Sequence, residues 1–176
     1  MALPENRSHI ETEKQNQATM DLDILETETL VSLLAKDHQQ AVVAVEDASE
    51  EIASFINDLV GRVRDGGRLI YLGCGTSGRL GVLDAAECPP TFQTDPSLIV
   101  GLIAGGDRSL RTSSEGEEDK PDGARIALTE LSLTEVDTVL GIAAGGTTPW
   151  VIGGLKIAKQ MGANTAFLTC SSEIPP

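Results

Sequence analysis

The chain has 176 residues, 27 of them Asp or Glu against 13 Lys or Arg, for a formal net charge of −14. That balance argues against nucleic acid or an anionic membrane as partner, although backbone amides at a helix start can still hold a small anion locally. The length suits one domain with room for a helical extension, and scarce aromatics imply a core of Ala, Val, Ile and Leu. No apolar run is long enough to cross a bilayer, the start MALPENRSHIETEKQ lacks signal-peptide character, and Cys74, Cys88 and Cys170 form no CxxC pair. The expectation is a soluble, cytoplasmic protein without a disulfide framework or a metal site.

Residues 1–20 read as a polar arm, either disordered or docked on a partner. A short helix is expected over Glu26–Ala35. A longer stripe follows, with Val42, Val45, Ile52, Ile56, Leu59 and Val63 at helical spacing, interrupted at Ser49 and ended by Gly66-Gly67. It either packs on its own domain or forms a seam against a second subunit. From Arg68 the pattern changes. Leu69–Leu72, Leu98–Ala104, Thr138–Ala143 and Thr165–Thr169 read as buried strands, with helices over Ser77–Glu87, around Asp122–Leu131 and over Pro149–Met161. The expected organisation is an arm and helices over residues 1–65, then an α/β unit over 66–176 with a parallel sheet flanked by helices.

Ligands in such folds sit at the carboxyl ends of the strands, and three strand ends here carry hydroxyl- or glycine-rich turns. The first, Gly75, Thr76, Ser77, Gly78 and Arg79 after Gly73-Cys74, offers close backbone approach and hydroxyl donors at a helix start. The second holds Thr147 and Thr148, with Thr148 placed to cap a helix and Pro149 suited to its first position. The third is Thr169-Cys170-Ser171-Ser172. The first turn also fits G-x-G-x-x-G, but Asp107 comes late for a ribose-binding acid, and Arg79-Leu80 replaces the Lys-Ser/Thr of a triphosphate loop. A phosphomonoester on a small molecule suits these turns better than a nucleotide.

His9 and His38 precede the α/β region, so acid–base work there falls to carboxylates, with Tyr71, lysines and cysteines as poorer candidates. Glu87 reads as the end of the first helix, fixed by Pro89-Pro90. The negative pole of a helix C-terminus disfavours a second negative charge, which suits a carboxyl that keeps its proton and acts as an acid. The acidic run SSEGEEDKPDG over 113–123 reads on composition alone as a solvated helix start.

"GRLIYLGCGTSGRLGVLDAAECPPTF", "GLIAGG", "EGEED" and "GIAAGGTTPWVIGGLKIAKQMG" resemble the N-acetylmuramic acid 6-phosphate etherases of the sugar isomerase (SIS) domain superfamily. "TEKQNQATMDLDILETETLVSLLAKDHQQAVVAVE" is similar to the N-terminal region of the same family. The resemblance implies a SIS-type parallel sheet flanked by helices, assembled as a homodimer, acting without metal or organic cofactor. It implies lyase-type cleavage of the D-lactyl ether of N-acetylmuramate 6-phosphate, giving N-acetylglucosamine 6-phosphate and D-lactate. The acid maps onto Glu87 in "AAECPP" and the second catalytic glutamate, assigned as base, onto Glu118 in "EGEED". A straight helix would set Glu87 roughly 15 Å beyond the phosphate turn, so Glu87 either serves the neighbouring subunit or lies on a helix that breaks early.

The chain departs from that pattern in two places. The second loop, usually Ala-Ser-Gly-Arg-Thr-Pro, is here Ala144-Gly145-Gly146-Thr147-Thr148-Pro149. The resemblance also implies a further strand and C-terminal helices beyond this sequence, hence a partial SIS domain with an exposed sheet edge. The alternative expectation is a non-catalytic sugar-phosphate-binding regulatory SIS protein or an inactive truncated relative.

Overall fold

The computed structural model describes residues 10–114 and 116–171. Three short 3-10 turns between Glu11 and Ile24 lead into α1 (Thr27–Asp37), α2 (Gln39–Asp47) and α3 (Ser49–Arg64). The long stripe is therefore two helices rather than one. The backbone turns at Ala48, beside the serine that interrupts the spacing. α3 ends as its glycines predict. Gly66 is left-handed, and the Gly66 and Gly67 amides cap the carbonyls of Val63 and Arg62. No residue of α1, α2 or α3 is buried.

β1 (Leu69–Gly73), β2 (Ile99–Ile103), β3 (Thr138–Ile142) and β4 (Asn164–Leu168) form one parallel sheet in the order β2-β1-β3-β4. Each strand lies within a residue of its predicted span. α4 (Gly75–Phe92), α5 (Arg125–Glu130) and α6 (Pro149–Gln160) supply the crossovers. Ile70 pairs with Val100 and Val139, and Leu72 with Leu102 and Gly141, so these side chains share one face. There they meet Leu128, Trp150, Val151 and Ile157 in the main core. α4 covers the other face over β1 and β2, where Gly81 lies against Tyr71 and Gly101 against Val82. All four strands were expected to be buried; β1 and β3 are, whereas β2 and β4 are largely half-exposed because they form the sheet's two edges.

Two helices differ from expectation. α5 is shorter than Asp122–Leu131, its approach being a series of turns. α4 begins earlier and runs beyond Glu87 through Pro89 and Pro90 to Phe92, with left-handed Gln93 as its cap. Prolines in the last turn leave earlier carbonyls without helical donors, yet packing of α4 on β2, with Cys88 buried, holds the helix through them. Glu87 is thus not at a helix end, and the dipole argument for its proton loses its premise. No helix among the described residues is long and apolar enough to cross a membrane.

Candidate functional site

The turn from β1 into α4 is set by two glycines that touch. A Cβ at Gly78 would lie 2.6 Å from the Gly73 carbonyl oxygen and 2.7 Å from Ile103 Cγ1, so only hydrogen fits there. This contact seats the first turn of α4 directly on the end of β1. The first amides of a helix have no intrahelical acceptor, so those of Gly75, Thr76 and Ser77 face outward at the carboxyl edge of the sheet.

A cavity of about 50 Å³ lies against this turn, lined by Cys74, Gly75, Arg79, Ala104, Ser109, Ser113, Ser114 and Glu118. Arg79 is anchored through Nε, which donates to the Leu110 carbonyl at 3.1 Å. Glu118 arrives from the β2–α5 connection, pinned by its backbone: its carbonyl accepts from the Trp150 amide at 2.9 Å in the first turn of α6. Trp150 is buried and Gly123 packs on its ring, which fixes the acidic segment on α6. Burial, then the charges of Glu118 and Asp119, push the Cys74 thiol up to about 12, so it forms a neutral wall beside the carboxylate. Ser109 and Ser114 are hydrogen-bonded to each other through their hydroxyls, and both crowd the place a Cβ of Gly105 would take.

The structure therefore brings Gly75, Arg79 and Glu118 together. Thr76, Ser77 and Gly78 stand in the same helical turn without lining the cavity. Thr147 and Thr148 sit between β3 and α6 at the same sheet edge, but outside it. Thr148 occupies the N-cap position and Pro149 the first turn as expected, though the Thr148 side chain makes no capping bond. Beside this loop, buried Ile10 and exposed Thr12 approach Gly145, so the arm touches its own chain at these two residues. Residues 1–9, Glu115 and Ser172 lie outside the described residues. Glu87 is exposed, does not line the cavity that Glu118 lines, and at a rise of about 1.5 Å per residue stands about 18 Å along α4 from Gly75. An early break of α4 is ruled out by its course to Phe92.

Cys74, Ser109, Ser113 and Ser114 line the cavity, although sequence reasoning does not single them out as site residues. Ser113-Ser114 opens the acidic run, where the neighbouring carboxylates mask the signal of two hydroxyls at a strand-end loop. Tyr71 is occupied elsewhere: burial and its 2.7 Å bond to Asp84 raise its phenol far above the ordinary value. Among the described residues no group of three or more His, Cys, Asp or Glu converges as metal ligands.

The family model described as the glucokinase regulatory protein N-terminal SIS domain matches residues 51–159. The chain belongs to the SIS-domain family. The resemblance carried by the motifs holds across nearly the whole of this SIS chain. It is 49% identical over 160 residues to the N-acetylmuramic acid 6-phosphate etherase of Caldanaerobacter subterraneus subsp. tengcongensis, covering 91% of this chain and 52% of that protein. It is 47% identical over 169 residues to the etherase of Parasynechococcus marenigrum, covering 96% and 54%. The chain thus spans about half the length of the curated relatives it matches. Among solved structures, phosphoheptose isomerase GmhA from Neisseria gonorrhoeae aligns with a TM-score of 0.61 at 18% identity, over 81% of this chain and 73% of that one. That likeness is one of fold.

Proposed function

We propose that this SIS domain binds N-acetylmuramate 6-phosphate and takes part in lyase-type cleavage of its D-lactyl ether, yielding N-acetylglucosamine 6-phosphate and D-lactate. The observation that carries the reading is the cavity in which Glu118 faces the first turn of α4, on a chain 47–49% identical to etherases. Gly75, Thr76, Ser77, Gly78 and Arg79 hold the phosphate through amides, hydroxyls and charge, with Thr147 and Thr148 supporting from the neighbouring loop. Glu118 takes the proton from the carbon beside the sugar carbonyl. Glu87 protonates the departing lactate oxygen, and water then adds to the resulting double bond. Because α4 is continuous, Glu87 is supplied by the second subunit of a homodimer. Residues 1–65 contribute to pairing and 66–176 to sugar-phosphate binding. The same reading places the protein in the cytoplasm, in keeping with free thiols at Cys74, Cys88 and Cys170.

The test is release of D-lactate from N-acetylmuramate 6-phosphate. Glu118→Gln and Glu87→Ala should each lower turnover by about 10²- to 10⁴-fold. Mixed dimers of the two inactive chains should regain part of the activity, since one of their two sites keeps both carboxylates. Absence of rescue in verified mixed dimers removes the shared site. Tight sugar-phosphate binding with no D-lactate would leave a regulatory binder instead.

A further inference from the structure

We propose that Arg108 recognises the carboxylate of the lactyl arm, on the side of the site away from the phosphate turn; the inference rests on the etherase reading. Arg108 stands in the short helical turn Asp107–Leu110 that follows β2. It lines an open cleft of about 660 Å³ together with Gly105, Ser113, Ser114 and Glu117. Ser113 and Ser114 also line the cavity holding Glu118, so they form a common wall between the two spaces.

In a chain with a net charge of −14 several of the cations near the fold are already engaged. Arg62, Arg68, Lys120 and Arg125 pair with carboxylates, and Arg79 donates to a carbonyl. Arg108 is exposed and has no ion pair or hydrogen-bond acceptor for its side chain among the described residues. Glu117, the carboxylate that would otherwise repel an anion in this cleft, is paired with Lys120 at 2.7 Å. The cleft therefore presents an uncommitted guanidinium beside hydroxyls.

The proposed substrate has two anionic ends. Its phosphate suits the amides at the start of α4. Its lactyl carboxylate must lie near the ether, hence near Glu118, and a guanidinium fork matches a carboxylate in two parallel hydrogen bonds. The product sugar lacks that carboxylate. Arg108 would thus distinguish substrate from product, and the open cleft would let D-lactate leave.

The test compares binding of N-acetylmuramate 6-phosphate and N-acetylglucosamine 6-phosphate by calorimetry, on the full chain carrying Glu118→Gln so that the ether survives. Adding Arg108→Ala should weaken the muramate by about 10- to 100-fold and leave the glucosamine unchanged, with Arg108→Lys in between. Equal loss for both sugars would make Arg108 a phosphate ligand, and no loss for the muramate would leave it a bystander; either result overturns the proposal alone. If the parent chain binds neither sugar, the etherase reading falls and takes this inference with it.

Discussion

Asp137 fastens the amino-terminal ends of the two central strands. Its carboxylate accepts from the Arg68 backbone amide at 2.9 Å, from Arg68 Nε and Nη2, and from the Thr134 amide and hydroxyl. Burial alone would push this carboxyl up; the hydrogen bonds of Arg68 and Thr134 and the Arg68 charge outweigh it and hold the group at about 2, against 3.8 for an ordinary aspartate. Between those values the native state binds fewer protons than the unfolded chain. The stabilisation is therefore fully present above the unfolded value and is lost as pH falls through about 2. Asp137→Asn should cost about 3 kcal/mol near neutral pH by leaving Arg68 without its charged partner. Urea unfolding at a series of acidic pH values should then show a flatter decline in the variant than in the parent; parallel declines would assign the acid sensitivity to other groups. Nothing in the spacing of Arg68 and Asp137 along the chain announces this pair. By contrast Glu118 stands out through its resemblance to a family motif, while the serines beside it, carried by an acidic run, do not.

The four strands are legible in the sequence because each is a short apolar run bounded by polar or glycine residues, and parallel order follows from the intervening helices. α4 is harder to read. Pro89 and Pro90 are local stop signals, yet the helix, packed on β2 and with Cys88 buried, continues past them to Phe92. The break between α2 and α3 is hidden for the opposite reason, since the apolar spacing runs almost unbroken across a backbone turn. What the glycines of the first turn do is also a tertiary matter. Gly78 is required by contact with Gly73 and Ile103, whereas at Gly61 in α3 a Cβ would have nothing within 4 Å of it. Gly78→Ala should therefore lower stability by about 1–3 kcal/mol and tilt the start of α4 away from β1. Gly61→Ala should instead raise it by roughly 0.5–1 kcal/mol through helix propensity alone. Thermal unfolding with sugar-phosphate titration separates the two effects. If Gly78→Ala keeps both its melting temperature and its ligand affinity, the tight turn is not what shapes the proposed phosphate site.

At the scale of the whole molecule the sequence leaves open whether the apolar stripe serves its own domain or a second chain. In the structure Ile52, Ile56 and Val60 repeat along α3 and remain 40–48% exposed, and Val42, Val43 and Val45 on α2 and Leu80 and Leu83 on α4 are more open still. Arg62 reaches the Glu135 carbonyl and Asp58 accepts from Asn164 Nδ2, so α3 is tethered to the sheet by polar bonds while its apolar residues stay uncovered. Apolar surface of this extent is costly in water and fits the pairing that a shared Glu87–Glu118 site requires. Two chains of charge −14 also repel each other, and added salt screens that repulsion without weakening apolar contact. Association should consequently strengthen between low and moderate salt, measured by sedimentation equilibrium. Ile56→Asp should shift the population toward single chains at unchanged melting temperature of the fold, because Ile56 belongs to no core cluster. Loss of D-lactate release in parallel with loss of dimer would tie the surface to the site, whereas an active single chain would require Glu87 to have no part in the chemistry.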